Sequence, residues 1–127
     1  MKKIIAFVLV AVLMLTFTST ALAAASTIDI GGTVTGGSWR SQDTQPSYHN
    51  YQCTADIDTV SFTSPSTSLK FGIYVGTVCK SNTPRITSPY PLTFTYKEKL
   101  SGVTLTLKAY SGSSSSGSAT YSGTWTN

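Results

Sequence analysis

The sequence predicts an all-β protein: an antiparallel β-sandwich, or a small barrel, of about six to seven strands with one disulfide. Three observations support this fold class. Apolar and polar residues alternate with a period of two in several segments, as in strands that bury one face. Clusters of glycine, proline and serine separate these segments. After Ser26 the helical spacing of apolar residues at i, i+3, i+4 and i+7 does not occur.

The beginning of the chain has the composition of a signal peptide. Two lysines are followed by an unbroken apolar run over residues 4–15, and Ala21-Leu22-Ala23 supplies the small-x-small pattern that a signal peptidase accepts. A helix over that run measures about 18 Å, short of the ~30 Å hydrocarbon core of a bilayer. A transmembrane anchor is therefore disfavoured.

We expect residues 1–25 to be a signal peptide, cleaved near Ala23 to Ala25. Residues 26–127 should then form a single β-sandwich domain. The mature protein is expected to be secreted and extracellular, without stable insertion in a membrane, and its composition is typical of a short exported bacterial chain. Serine and threonine make up more than a third of it.

The charge balance disfavours a nucleic-acid partner. Of the nine basic residues, Lys2 and Lys3 belong to the expected signal peptide, and the others are scattered along the chain against five acidic residues. Phosphate binding requires clustered lysine and arginine. We therefore expect no nucleic-acid partner.

The first predicted strands lie upstream of residue 76. Thr27–Val34 places Ile28 and Ile30 on one side. The second strand alternates through Tyr51, Cys53, Ala55 and Ile57, and its apolar phase then changes at Val60 and Phe62. A change of phase calls for a β-bulge or a bend, here near Asp58-Thr59. A third strand has its inward side at Leu69, Phe71, Ile73 and Val75.

Three further strands are predicted downstream. The first buries Leu92, Phe94 and Tyr96, the second buries Val103, Leu105, Leu107 and Ala109, and the third buries Ala119, Tyr121, Gly123 and Trp125. Core packing is accordingly expected for Tyr121 and Trp125. The polar segment Thr35–Asn50 and the proline-rich segment Pro84–Pro91 are predicted to be loops, where binding side chains are commonly exposed.

The only two cysteines, Cys53 and Cys79, are expected to form a structural disulfide, because an exported chain meets an oxidising compartment. Cys53 has the inward phase of Ala55 and Ile57, and Cys79, counted by parity, has that of Ile73. The bond is therefore expected to be buried in the core.

Residues for catalysis are sparse. His49 is the only histidine, and the spacing selects no serine and acid that would complete a triad with it. Asp56 and Asp58 lie on one side of a predicted strand and are weak candidates for a metal site; a solvated strand face is the simpler interpretation. We expect no catalytic residue, no bound metal and no cofactor.

Aromatic residues in or beside the predicted loops are the better candidates for ligand binding, because flat rings stack on sugars or pack in protein interfaces. These candidates are Trp39, Tyr48, Tyr51 and Tyr90. Threonines form a second unusual pattern. Those of the last three strands form rows if the strands pair as a meander, and such a face either is simply solvated or recognises a repetitive surface.

The leading functional hypothesis is a secreted, non-catalytic binding or structural module that contacts the cell envelope, a matrix polymer such as a polysaccharide, or a surface protein. One alternative is a small secreted antagonistic polypeptide, bacteriocin-like or pore-forming. A second alternative is a small hydrolase that uses His49. Self-association is a further hypothesis, through pairing of the Thr27–Val34 strand with a neighbouring subunit.

Overall fold

The structure is a computed structural model that describes residues 25–48, 50–112 and 117–127, and every regular element in them is a β-strand. The expected signal peptide lies outside the described residues, apart from Ala25. The strands of the described part are β1 (Thr27–Thr35), β2 (Arg40–Pro46), β3 (Asn50–Thr63), β4 (Leu69–Val75), β5 (Val78–Cys79), β6 (Arg85–Ile86), β7 (Pro91–Leu100), β8 (Thr104–Ser111) and β9 (Ser118–Thr126).

The strands form two antiparallel sheets that pack face to face. The first sheet has the order β1-β9-β3-β7, and the second has the order β2-β8-β4-β5, with β6 paired to β4. This arrangement confirms the predicted all-β class and the sandwich architecture.

The core lies between the two sheets and is built from the inward phases of the alternating segments. Trp125, Phe94, Phe71 and Leu107 are fully buried. Phe71 of the second sheet meets Tyr121 of the first edge to face, with ring centroids 4.9 Å apart, an arrangement that aromatic pairs favour. The prediction that Tyr121 and Trp125 serve core packing is confirmed.

The predicted change of phase in β3 is also confirmed. The register of β3 against β9 shifts between Ile57 and Thr59, as in a β-bulge. The shift lets Ile57 and then Val60 both turn toward the core.

Strand β2 lies inside the segment that we expected to be a loop. Its sequence, Arg-Ser-Gln-Asp-Thr-Gln-Pro, has no apolar alternation, so the pattern gave no signal. Contacts with other strands hold it instead. Its backbone pairs with β8, and the buried Gln45 donates from Nε2 to the carbonyl oxygen of Trp125 at 2.8 Å. Pro46 lies at the end of this edge strand, a position where a residue without an N–H is tolerated in a sheet.

The last three strands do not form the meander that was considered from the sequence. β7 belongs to the first sheet, β8 to the second, and β9 to the first again. The turn between β7 and β8 contains Gly102 with a φ of 65°, a left-handed conformation that glycine adopts at little cost. This turn takes the chain from the first sheet to the second.

The predicted disulfide is wrong, because Cys53 and Cys79 are free thiols. Cys53 lies in the core, where its Sγ accepts a hydrogen bond from Nε1 of Trp125 at 3.2 Å. Cys79 stands directly opposite Tyr74 in the β4–β5 hairpin, so it shares the outward side of Tyr74.

The inward side was predicted for Cys79 because the alternation of β4 was continued through the turn that follows Val75. Val75 pairs with Val78 around a two-residue turn that contains Gly76. In such a hairpin, directly paired residues of the two strands face the same side of the sheet. Cys79 pairs with Tyr74, so it lies on the side of Tyr74 and not on that of Ile73. The Cys79 sulfur therefore lies on the outer side of the hairpin, away from the core that contains Cys53.

A test of the free thiols needs no variant. We expect alkylation of the unfolded, unreduced monomer to add two groups, since joining the sulfurs would require the β4–β5 hairpin to turn over. Thermal unfolding should be the same with and without a reductant. Alkylation that adds no group, together with a loss on the order of 3 kcal/mol on reduction, would contradict the placement of Cys79.

One edge of the first sheet is covered by the chain itself. The segment that follows β5 leaves the second sheet and runs along β7. Lys97 donates its N–H to the oxygen of Lys80 at 2.9 Å, and Ser81 forms an isolated bridge with Tyr96. The side chain of Asn82 accepts from the N–H of Thr95 at 2.9 Å.

Candidate functional site

The outward side of the second sheet carries the strongest candidate for a ligand site. In β4 and β8 the side chains alternate between core and solvent. The outward positions hold Lys70 and Tyr74 in β4, and Lys108 and Tyr110 in β8. The register sets Lys70 opposite Tyr110 and Gly72 opposite Lys108, so rings and cations occupy neighbouring rows.

Trp39, just before β2, packs its ring against both tyrosines. The Trp39 centroid lies 5.6 Å from that of Tyr74 and 5.5 Å from that of Tyr110, with tilted planes. Gly72 provides the room, because a Cβ there would lie 3.2 Å from Cε2 of Tyr74. All three rings are half-buried, so each keeps part of its surface in contact with solvent.

Two lysines lie over the tyrosine rings. Nζ of Lys108 is 4.4 Å from the centroid of Tyr74, and Nζ of Lys70 is 5.9 Å from that of Tyr110. Such cation–π contacts contribute about 0.5–1 kcal/mol at exposed sites. They restrict the two ammonium groups to positions beside the rings.

Arg85 extends this surface. It lies in β6 directly opposite Lys70, so it shares the outward side. An open pocket of about 250 Å³ adjoins it, lined by Arg85, Ile86, Thr87, Ser88 and Tyr90. The surface that we call the basic aromatic face consists of Trp39, Lys70, Tyr74, Arg85, Lys108 and Tyr110.

One phenol on this face and one thiol in the core have raised pKa values, those of Tyr74 and Cys53. Burial raises the pKa of the Tyr74 hydroxyl, and the adjacent Cys79 raises it further, so the phenol remains able to donate a hydrogen bond. Burial also raises the pKa of the Cys53 thiol. A protonated, buried thiol is a poor nucleophile, and Cys53 is better explained by packing.

The four aromatic residues predicted from the sequence fall in different places. Trp39 belongs to the basic aromatic face, and Tyr90 lines the adjoining pocket, with 62% of its surface exposed. Tyr51 lies in β3 of the first sheet, where Nζ of Lys99 is 5.7 Å from its ring centroid. Tyr48 is half-buried after the end of β2.

The candidate metal and catalytic residues are not gathered into a site. Asp56 is exposed on β3 opposite Thr124, and Asp58 is exposed at the bulge. Within residues 25–48, 50–112 and 117–127, three or more His, Cys, Asp or Glu side chains do not come together in a way that could hold a metal ion. His49 lies outside the described residues, so the hydrolase hypothesis stays a prediction.

The outward side of the first sheet is a separate surface of hydroxyl groups. One row crosses all four strands through Thr27, Thr126, Thr54 and Thr93. Oγ1 of Thr27 and Oγ1 of Thr126 are 2.8 Å apart, and similar bonds join Thr33 to Thr120 and Thr59 to Ser122. We call this surface the hydroxyl face. Its rows run through β1, β9, β3 and β7, and not through β8 as the meander required.

Sequence reasoning missed the two tyrosines and two lysines at the centre of the basic aromatic face. The signal was present in the outward phases. Tyr74 follows Lys70 and Gly72 on the polar side of β4, and Tyr110 follows Lys108 on the polar side of β8. Aromatic residues on the solvated side of neighbouring strands are unusual and indicate a binding surface.

Within the described part of the chain, no helix has the length and apolar character needed to span a membrane. Comparison with known proteins finds no match to a family model and no match among curated proteins.

Proposed function

We propose that this protein is a secreted, non-catalytic binding module whose basic aromatic face contacts an extracellular polysaccharide. The observation that carries the proposal is the packing of Trp39 between Tyr74 and Tyr110 on the solvent side of a sheet. Rings in that position offer a joint apolar surface with polar groups at its edges, which is the composition that sugar recognition uses.

The face is built on rigid elements. Tyr74 and Tyr110 project from β4 and β8, whose alternate residues are the fully buried Ile73 and Ala109. Trp39 is fixed by contact with both rings. Little side-chain freedom remains to be lost when a ligand binds, and this preorganisation favours affinity.

The hydroxyl face is a second candidate surface for the same general function. Its rows of threonine and serine repeat at the spacing of neighbouring strands, about 4.8 Å, and that regularity suits a repetitive ligand. Three of its hydroxyl pairs, however, are hydrogen-bonded to each other. Each of those pairs has less bonding capacity left for a ligand.

The test is retention of the purified protein on insoluble bacterial cell-wall glycan, cellulose, chitin and calcium-gelled polygalacturonate. We expect the protein to be retained on at least one of them. The variant Trp39→Ala should lose most of that retention, about tenfold or more, since an aromatic anchor at the centre of a binding surface commonly contributes 2 kcal/mol or more.

The matched control is Tyr51→Ala, which removes a lysine-capped ring from the other sheet. It should be retained like the unaltered protein, and both variants should keep the native circular dichroism spectrum. Failure on all four materials, or retention that survives Trp39→Ala, would overturn the proposal. Loss of retention in Thr126→Glu alone would assign binding to the hydroxyl face instead.

A further inference from the structure

The two outer faces of the sandwich differ in charge. The basic aromatic face carries Lys70, Arg85 and Lys108, whereas all five acidic residues of the chain are placed elsewhere. Asp29 and Asp56 stand opposite Thr124 on the hydroxyl face. The three remaining acids have other locations. Asp58 lies at the bulge of β3 and Glu98 lies in β7. Asp43 lies in β2, opposite the inward Leu107 of β8.

The cations of this face are not neutralised by carboxylates. In the described part of the chain the one salt bridge joins Lys80 to Glu98 at 2.5 Å. Lys70 and Lys108 contact tyrosine rings instead, and a ring quadrupole attracts a cation without cancelling its charge. Their positive field is therefore directed at whatever approaches the rings.

The cations are also spaced for a chain-like ligand. Arg85, Lys70 and Tyr110 occupy one row across three strands, which spans about 10 Å at the backbone. At the Arg85 end of the row, the open pocket adds the hydroxyls of Thr87 and Ser88 and the exposed ring of Tyr90. A guanidinium group beside hydroxyls matches a carboxylate on a hydroxylated ring.

We infer that the ligand of the basic aromatic face is an acidic polysaccharide. This inference rests on the proposed function and specifies its substrate class. Sugar rings lie across Trp39 and the two tyrosines, their carboxylates pair with Lys70 and Lys108, and a further carboxylated unit enters the pocket beside Arg85.

A nucleic acid fits the face less well. Single-stranded nucleic acids bind by stacking successive bases on aromatic rings. Here the plane of the Trp39 ring is tilted by 56° to that of Tyr74 and by 43° to that of Tyr110. The three rings therefore do not present parallel faces on which successive bases could stack, while a sugar chain needs only their joint outer surface.

The experiment compares polygalacturonate with its fully methyl-esterified form, which has the same sugar backbone without the charges. The purified protein should bind polygalacturonate at least about tenfold more tightly than the ester, and raising the salt concentration should weaken binding. The double variant Lys70→Gln/Lys108→Gln should remove this preference. The matched control Lys97→Gln, a cation on the first sheet, should keep it.

The outcomes separate this inference from the proposed function. Equal binding to both polymers that Trp39→Ala abolishes would overturn the acidic ligand and leave the polysaccharide-binding module standing. Binding that survives Trp39→Ala would overturn both. Tighter binding of a single-stranded oligonucleotide that depends on Lys70 and Lys108 would assign the face to nucleic acid.

Discussion

Replacing Trp125 by alanine should cost about 3–5 kcal/mol, a large part of the ~5–15 kcal/mol that holds a domain of this size together. The indole is fully buried between the sheets. Its Nε1 donates to Sγ of Cys53 at 3.2 Å, and its backbone oxygen accepts from Gln45. Truncation would leave a cavity in the core. Equilibrium unfolding in urea, followed by far-ultraviolet circular dichroism, measures the loss.

The control is the same substitution at the only other tryptophan. Trp39 is half-buried on the outside of the second sheet, where removal of its ring opens a surface to water and leaves no enclosed cavity. Trp39→Ala should therefore lower the free energy of unfolding by less than half as much. Equal urea midpoints for the two variants would show that Trp125 is not at the centre of the core.

Gly123→Ala should be comparably damaging, although it adds a single methyl group. Gly123 lies in β9 between Ile30 of β1 and Ile57 of β3. A Cβ there would lie 2.0 Å from the backbone oxygen of Asp56 and 3.0 Å from Cα of Ile57. Backbone atoms cannot rotate out of the way, so β3 and β9 must separate. We expect a cost of about 3 kcal/mol or more, measured by urea unfolding.

Gly76→Asn is the control for this substitution. Gly76 has a φ of 59°, and an added Cβ meets nothing within 4 Å. Asparagine tolerates the left-handed conformation better than other non-glycine residues. Stability close to that of the unaltered protein is expected. If the two variants unfold at the same urea concentration, the close approach of β9 to β3 is refuted.

Six of the nine strands in the described residues were predictable, because each buries one side and the alternation records it. The bulge in β3 was predictable for the same reason, from the change of phase after Ile57. β2 was not predictable, since Gln45 is its only buried side chain and the strand contains no alternating apolar residues. Its place depends on backbone pairing with β8, which leaves no trace in hydropathy.

The cysteines show where local parity stops being informative. Within β4 the alternation predicts correctly that Ile73 faces inward. After the turn at Gly76 the chain reverses, and Cys79 faces outward with Tyr74. A two-residue turn and a three-residue turn give opposite answers, and residues 76–78 do not distinguish them by composition.

The candidate site was predictable only in part. Trp39 was singled out for its position in a polar segment, yet its partners lie in strands. Tyr74 and Tyr110 are distant in sequence and come together because β4 and β8 pair in the second sheet. Three basic residues that looked scattered along the chain meet on one face for the same reason. Such a grouping depends on register, which a single sequence does not specify.

The strand crossing that covers β7 limits how this protein can join copies of itself. Lys80, Ser81 and Asn82 occupy the hydrogen-bonding edge of β7, while β1 forms the opposite border of the first sheet and pairs with β9 on one side. Two copies that meet along β1 would build one continuous eight-stranded layer whose remaining borders are both capped. In the described part of the chain, growth of this layer would end with a pair, because both of its remaining borders are covered β7 edges.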